Sequence, residues 1–220
     1  MPKVGVILSG SGVFDGSEIH EAVITLLTIE RRGADYVCMA PDINQMHTID
    51  HLTGNESEGE QRNVLVESAR IARGDIKDIK DVSADEIDAL IIPGGFGAAK
   101  NLCDFAVKGA DCEVNPDVKE LVLSMNKVGK PIGAMCIAPA LLAKVFEGSD
   151  IKPTLTIGTD KQTAEAIEKM GAIHNDCSVD DIIVDYDNRI VTTPAYMLAK
   201  GISEAGTGIE RLVEEVLAMI

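Results

Sequence analysis

Short apolar runs of the kind that form β-strands alternate with longer amphipathic stretches along this chain of 220 residues. Strands are predicted at residues 4–8, 36–40, 76–79, 89–92, 131–135, 155–157, 181–186 and 189–193. Helices are predicted at residues 17–32, 61–73, 115–127, 137–146, 160–170 and 203–219. Because parallel strands need long helical crossovers, this alternation predicts an α/β fold: one mostly parallel sheet with helices on both faces.

Two segments depart from the strand–helix alternation. The last two predicted strands are separated by Asp187-Asn188, which predicts a two-residue turn and hence a β-hairpin near the C-terminus. Residues 42–59 are polar, show no clear period and are predicted to form a long loop. No linker marks a domain boundary, so residues 1–220 are expected to form a single domain.

Composition limits the partners and the compartment. The chain has 36 acidic and 20 basic residues, a net charge of −16, which argues against nucleic acid and anionic membranes as partners. No signal peptide and no apolar run of about 20 residues is present. The five cysteines are scattered and never spaced Cys-x-x-Cys, which predicts reduced thiols and a cytoplasmic location. No metal site and no cofactor is expected, since the histidines and acidic clusters lack ligand spacing.

Cys136 is the strongest candidate for a reactive residue. A predicted strand leads into it and a helix follows, with Ala134 two residues before it and Ala138 two residues after. This small-x-nucleophile-x-small spacing suits a tight strand-to-helix elbow, where bulky flanking side chains would collide with the backbone. A thiol at a helix N-terminus also faces the positive end of the helix dipole, which predicts a lowered pKa. The alternative is a small buried cysteine in a core helix.

A glycine-rich turn follows the predicted strand that precedes the Cys136 unit. In Pro93-Gly94-Gly95 the glycines allow backbone N–H groups to point into a crevice, where they could stabilise an oxyanion. A Pro-Gly-Gly turn alone is common. Its position one βα unit before Cys136 places both at the carboxyl ends of neighbouring strands, where open α/β sheets form their sites.

The first predicted helix carries two glutamates, Glu18 and Glu21, that lie off its apolar stripe of Ile19, Val23, Leu26 and Leu27. A solvated helix face is the favoured interpretation from the residues alone, and a carboxylate offered to the thiol is the alternative. The preceding glycine-rich loop suggests a nucleotide site, but its Gly-x-Gly is followed by three residues before the next glycine, one more than the dinucleotide fingerprint requires.

Taken together, these segments resemble the ThiJ/PfpI superfamily, within the class I glutamine amidotransferase-like, flavodoxin-type fold. The motifs at residues 5–18, at residues 93–101 and at residues 135–140 are similar to those of its ElbB branch, described as isoprenoid biosynthesis glyoxalases or lycopene-enhancing proteins. Residues 192–197 resemble that branch as well. The resemblance covers essentially the whole chain and implies a three-layer sandwich.

This resemblance implies specific roles. Cys136 takes the nucleophile position, Glu21 takes the position of the cysteine-contacting glutamate with Glu18 as the fallback, and Gly94, Gly95 and Ile137 would supply backbone donors. The implied activity is cofactor-free conversion of glyoxal to glycolate by a homodimer: the Cys136 thiolate adds to one aldehyde, and Glu21 moves protons through an enediol to a thioester. A small dicarbonyl is thus the expected substrate.

The chain also departs from its relatives in histidine content. Superfamily hydrolases carry a histidine directly after the nucleophile, where this chain has Ile137, and neither residues 156–160 nor residues 194–196 supply one. His20 is the one histidine near a plausible site and is a candidate auxiliary residue. Two alternatives to the glyoxalase are a redox-sensing or regulatory binding protein that uses Cys136, and an amidase or peptidase, which the missing histidine disfavours.

Overall fold

A seven-stranded sheet forms the centre of the computed structural model, which describes residues 1–220. Its strand order is β3-β2-β1-β4-β5-β9-β8, and all neighbours are parallel except β8 and β9. The strands are β1 Lys3–Ile7, β2 Asp35–Ala40, β3 Ile76–Asp78, β4 Ala89–Ile92, β5 Ile132–Met135, β6 Thr154–Leu155, β7 Ile173–His174, β8 Ile183–Asp185 and β9 Ile190–Thr193. Strands β6 and β7 form a separate parallel pair. The predicted α/β class and mostly parallel sheet are confirmed.

Eight helices surround this sheet. They are α1 Ile19–Arg31, α2 Val64–Ile71, α3 Phe96–Lys100, α4 Phe105–Lys108, α5 Pro116–Lys127, α6 Ala138–Phe146, α7 Lys161–Lys169 and α8 Ile202–Ala218. Short helices α3 and α4 were not predicted, because segments of four or five residues carry too little periodicity. None of the helices combines the length and apolarity that crossing a bilayer requires.

Alternate residues of the central strands enter two separate cores, one on each face of the sheet. In β4, Leu90 and Ile92 join a core covered by α5 and α6, whereas Ala89 and Ile91 join a core covered by α1 and α8. Continuous apolar strands of this kind are expected where a sheet is buried on both faces. The result is the predicted three-layer sandwich.

Helix α1 packs with a different face from the one its sequence suggests. Ile19, Val23 and Leu27 are exposed by 40% or more, while Ala22 and Leu26 are buried. Of the apolar stripe of Ile19, Val23, Leu26 and Leu27, only Leu26 therefore faces the core. The buried face also carries polar groups, which are satisfied locally: the Thr25 and Thr28 hydroxyls donate to the carbonyls of the preceding helical turn.

The C-terminal hairpin is present, but its turn is longer than predicted. The last pair of the ladder is Asp185 with Ile190, so residues 186–189 form the connection. The Asp185 carboxylate accepts hydrogen bonds from the backbone N–H and the side-chain amide of Asn188, and Arg189 adopts a left-handed conformation. This side-chain cap closes the ladder earlier than a two-residue turn at Asp187-Asn188 would.

Two glycines in α8 experience opposite environments, which yields a stability prediction. A Cβ on Gly208 would lie 2.5 Å from Thr193 Oγ1 and 2.6 Å from the Val179 carbonyl oxygen, whereas on Gly206 its nearest neighbour is Ile24 Cδ1 at 3.8 Å. Gly208→Ala is expected to lower the free energy of unfolding by about 1–3 kcal/mol through overpacking.

Gly206→Ala serves as the matched control in the same helix. It is expected to raise the free energy of unfolding by roughly 0.5–1 kcal/mol, because alanine loses less backbone entropy in a helix. Urea denaturation of both variants measures the difference. Equal effects of the two substitutions would contradict the close approach of α8 to Thr193.

Candidate active site

Cys136 lies at a strand-to-helix elbow, as predicted. It connects β5 to α6 and has a φ of +60°, a left-handed conformation that is rare outside glycine. Its backbone N–H donates to the Thr193 carbonyl at 3.1 Å, which ties the elbow to the end of β9. Ala134 and Ala138 are both buried on either side of it, in keeping with the need for small flanking residues.

Glu21 extends from the buried face of α1 to the elbow. Its Oε2 accepts the Gly94 N–H at 2.8 Å and its Oε1 accepts the Tyr196 N–H at 3.2 Å. The carboxyl lies beside the Cys136 thiol, because a Cβ on Gly94 would be 2.8 Å from Glu21 Oε2 and 3.0 Å from Cys136 Sγ. Glu21 is fully buried. The favoured interpretation from the residues, a solvated helix face, is wrong for Glu21, because these backbone N–H groups hold its carboxylate inside.

Glu18 has a different role from Glu21. It is the N-cap of α1, and its side chain accepts the Glu21 N–H at 2.7 Å. Its Oε1 lies 3.8 Å from His20 Nδ1, which in turn is 2.7 Å from the Tyr196 hydroxyl. Glu18 and His20 therefore form a rim beside the site with Tyr196, whose place at the site the sequence analysis missed.

The three predicted backbone donors behave differently. The N–H groups of Gly95 and Ile137 both act to lower the pKa of the Cys136 thiol, as expected of donors beside the sulfur where an oxyanion could be bound. The Gly94 N–H donates to Glu21 instead. The prediction of Gly94 as an oxyanion donor is thus wrong, because the Glu21 carboxylate already occupies its N–H.

Burial sets the protonation of the thiol and the carboxyl. Desolvation, with a smaller contribution from the charge of Glu18, raises the pKa of Glu21 from 4.5 to about 7, despite the opposing backbone hydrogen bonds. Desolvation and then the charge of Glu21 raise the pKa of Cys136 well above its ordinary value. The predicted lowering of the Cys136 pKa is wrong, because burial and the adjacent carboxylate outweigh the helix dipole and the two N–H donors.

The glycine-rich loop after β1 supports the site and does not form a phosphate cradle. Gly10 N–H donates to Ser68 Oγ, Gly12 N–H to the Ser17 carbonyl and Gly16 N–H to the Gly12 carbonyl. Internal bonds thus occupy the donors that a phosphate would need. The loop packs against the start of α3, where Gly97 N–H donates to the Gly16 carbonyl.

An apolar groove of about 420 Å³ begins next to the elbow. Ile137, which directly follows Cys136, forms part of its wall together with both aromatic residues of α3 and α4. The lining residues are Phe96, Ala99, Phe105, Ala106, Val107, Gly109, Ile137, Gln162, Thr163 and Ala166. No group of three or more His, Cys, Asp or Glu side chains is arranged to hold a metal ion.

The three-layer α/β sandwich is the fold of class I glutamine amidotransferase-like proteins. The chain belongs to the DJ-1/PfpI family, whose profile it matches over residues 12–194. This family includes enzymes that use a cysteine nucleophile.

Two mammalian proteins and one bacterial structure resemble almost the whole chain. Human glutamine amidotransferase-like class 1 domain-containing protein 3, mitochondrial, is 48% identical over 99% of this chain and 83% of its own length. The rat ES1 protein homolog, mitochondrial, is 46% identical over 99% and 84%. An isoprenoid biosynthesis protein with an amidotransferase-like domain from Ehrlichia chaffeensis is 38% identical, covers 99% of this chain and 100% of its own, and superposes with a TM-score of 0.91.

These relatives contradict the predicted cytoplasmic location, because the human, rat and zebrafish proteins are all named as mitochondrial. The prediction depended on cysteine usage and overall composition. Neither property determines the compartment to which a protein is delivered.

The raised pKa of Glu21 predicts a pH-dependent contribution to stability. Between pH 4.5 and about 7 the folded chain holds this proton while the unfolded chain releases it, so the contribution of Glu21 to stability is lost as pH rises through 7. The free energy of unfolding, measured relative to Glu21→Met, is expected to fall by about 2–3 kcal/mol from pH 5 to pH 8. Urea denaturation of both proteins across this range measures it, and parallel pH curves would contradict a buried, titrating Glu21.

Proposed function

We propose that the protein is a cofactor-free glyoxalase of the ElbB type that converts glyoxal to glycolate. The observation that carries this proposal is the position of the buried Glu21 carboxyl beside the Cys136 thiol: a Cβ on Gly94 would lie 2.8 Å from Glu21 Oε2 and 3.0 Å from Cys136 Sγ. The N–H groups of Gly95 and Ile137 act to lower the pKa of the same thiol, which supports a role for them as oxyanion donors. A candidate nucleophile, a candidate base and candidate oxyanion donors thus lie within one small site.

Glu21 is the group that would activate the thiol. Because the pKa of Cys136 is raised, the nucleophile is protonated at rest, and the Glu21 carboxylate removes its proton as sulfur adds to one aldehyde of glyoxal. The resulting alkoxide would accept hydrogen bonds from the N–H groups of Gly95 and Ile137. Glu21 would then return the proton to the alkoxide oxygen, which gives the hemithioacetal.

The remaining steps move protons within the bound substrate. Removal of the proton from the hemithioacetal carbon gives an enediol, and protonation of the neighbouring carbon gives the thioester of glycolate. Water then hydrolyses the thioester, which releases glycolate and restores the thiol. A base with a pKa of about 7 can both accept and return protons near neutral pH, and Glu21 has this value.

The relatives support this proposal. The DJ-1/PfpI family includes members of the glyoxalase and deglycase type. The similar Ehrlichia chaffeensis structure is described as an isoprenoid biosynthesis protein, which agrees with the ElbB-type resemblance. The homodimer expected from the same resemblance stays a prediction.

The first test measures the formation of glycolate from glyoxal by NMR. Cys136→Ser is expected to lower kcat/KM by about 10³-fold or more, because a serine hydroxyl is a much weaker nucleophile with a carboxylate base. Cys177→Ser, which alters a buried cysteine in the loop that precedes β8, is the matched control and should stay within about twofold.

The outcomes of this test separate the three candidate functions. Glycolate formed equally by Cys136→Ser would contradict the proposed nucleophile. Modification of Cys136 by oxidants without any glycolate from the unmodified protein would favour the redox-sensing alternative. Release of ammonia from amide substrates would favour an amidase.

The pH dependence of the reaction tests the role of Glu21. The carboxylate form is the base, so kcat/KM for glyoxal is expected to rise with pH to a plateau, with a midpoint near 7. Glu21→Ala should lose about 10²–10⁴-fold and this pH midpoint. Glu30→Ala, at an exposed position of the same helix, is the matched control. An unchanged midpoint in Glu21→Ala would show that another group is the base.

A further inference from the structure

Tyr196 contacts helix α1 twice, once through its backbone and once through its side chain. Its N–H donates to Glu21 Oε1 at 3.2 Å, and its hydroxyl lies 2.7 Å from His20 Nδ1. The Tyr196 and His20 rings are tilted against each other, with their centroids 5.8 Å apart. One residue that is far from α1 in the sequence therefore binds two neighbouring residues of that helix.

The segment that carries Tyr196 also holds the nucleophile. The Thr193 carbonyl, at the end of β9, accepts the Cys136 N–H at 3.1 Å, and Tyr196 lies only a few residues further along the chain. Residues 193–196 thus connect the elbow to α1, and a displacement of this segment would change the distance between Glu21 and the thiol. The position of Tyr196 relative to α1 is therefore part of the geometry of the site.

The backbone immediately before Tyr196 is strained. Ala195 is fully buried and has a φ of +43°, a left-handed conformation that is costly for a residue with a Cβ. Such a conformation persists only where surrounding contacts hold it. The Met197 N–H donates to the Pro194 carbonyl at 3.0 Å, a bond that closes the turn without linking it to α1. The two hydrogen bonds of Tyr196 supply that link.

His20 is a suitable anchor for the Tyr196 hydroxyl. It lies in the first turn of α1, and its Nδ1 is 3.8 Å from Oε1 of Glu18, the N-cap of the same helix. Glu18 also accepts the Glu21 N–H through Oε2 at 2.7 Å. Because a phenol hydroxyl can donate or accept, its bond to Nδ1 can form whether His20 is neutral or protonated. Glu18, Glu21, Tyr196 and His20 thus form a closed ring of contacts.

The Tyr196 N–H fixes which oxygen of Glu21 faces the thiol. Oε1 accepts the Tyr196 N–H, whereas Oε2 accepts the Gly94 N–H. A Cβ on Gly94 would lie 2.8 Å from Oε2 and 3.0 Å from the Cys136 sulfur, which places Oε2 beside the thiol. Without the Tyr196 N–H, the carboxyl group could rotate about its last side-chain bond, and Oε2 would lose this fixed position.

We propose that the bond between the Tyr196 hydroxyl and His20 holds the Tyr196 N–H on Glu21 and thereby keeps Oε2 directed at the Cys136 thiol. Tyr196 and His20 are then positioning residues for the base, and neither needs to touch the substrate. The catalytic part of this role rests on the proposed function, in which Glu21 is the base. The hydrogen bonds themselves do not depend on any activity.

Carboxyl ¹³C NMR of Glu21 measures this role directly. The Tyr196 N–H favours the ionised carboxylate, so weakening its bond raises the pKa of Glu21, which is about 7 in the wild-type protein. In Tyr196→Phe, which keeps the ring and removes the hydroxyl, the ¹³C midpoint is expected about half a pH unit higher. Glu18 and Cys136 also act on Glu21, and this substitution alters neither. The Glu21 signal is assigned by its absence from Glu21→Met.

Tyr186→Phe is the matched control. Tyr186 is 70% exposed and its hydroxyl lies 3.4 Å from Glu215 Oε1 on α8, so its loss should leave the Glu21 midpoint unchanged. The amide signal at position 196 gives a second measurement, since an N–H bound to Glu21 should shift as the carboxyl titrates. In Tyr196→Phe this shift should be at least several-fold smaller. An unchanged midpoint or an undiminished amide shift would overturn the proposal, because packing alone would then hold the turn.

His20→Leu tests the same bond from the other partner. Half of the His20 side chain is exposed, so this substitution leaves the core intact, and it should raise the Glu21 midpoint as much as Tyr196→Phe does. The double variant should show no further rise, because both substitutions remove one shared bond. Rises that add in the double variant would contradict that bond as the cause.

The activity of Tyr196→Phe tests the catalytic consequence. With glyoxal, kcat is expected to fall about 3–10-fold with little change in KM, because the substrate still binds while the base is misdirected. A change confined to KM would contradict a positioning role. If the wild-type protein forms no glycolate, the proposed function fails, and the NMR measurements still decide whether Tyr196 and His20 hold Glu21 in place.

Discussion

The left-handed turn at Cys136 is the constraint on which the rest of the site depends. A φ of +60° on a non-glycine residue is costly, and the surrounding structure must hold it. The backbone of Gly94 packs closely against the Cys136 side chain: a Cβ on Gly94 would lie 2.5 Å from Cys136 Cβ and 3.0 Å from its sulfur. The Pro93-Gly94-Gly95 turn therefore has two roles, to leave room for the nucleophile and to hold the Glu21 carboxyl beside it through the Gly94 N–H.

The same close packing makes Glu21 and Cys136 a coupled pair. The charge of Glu21 raises the pKa of Cys136, whereas Cys136 slightly opposes the rise in the pKa of Glu21 that burial causes. Burial removes the water that would otherwise stabilise two charges. Two backbone N–H groups, from Gly94 and Tyr196, keep the carboxyl in place in either protonation state, since both of its oxygens act as acceptors. A glutamine could not replace it without directing an NH₂ group at one of these donors.

The elements that follow a simple repeating pattern could be predicted from the sequence. The features that depend on one specific hydrogen-bond partner could not. The sheet, the long helices and the Cys136 elbow follow from apolar runs and small flanking residues. The inward face of α1 did not follow, because an apolar stripe of Ile19, Val23 and Leu27 points outward while Glu21 points inward to donors from two distant loops. The use of the Gly94 N–H and the long hairpin turn at residues 186–189 likewise depend on single side-chain acceptors, which periodicity does not report.

The absence of a histidine beside the nucleophile makes the raised pKa of Glu21 chemically meaningful. In a Cys-His pair the base is an imidazole, whose ordinary pKa is already close to neutral pH. The ordinary pKa of an exposed glutamate is much lower, so its carboxylate would be too weak a base to take a proton from a thiol. Burial moves Glu21 to about 7, the value that a histidine would otherwise supply. Ile137 occupies the position after the nucleophile and lines the apolar groove, so no imidazole is available at that position. Burial of the carboxylate thus gives Glu21 the proton affinity that a histidine would have supplied beside the thiol.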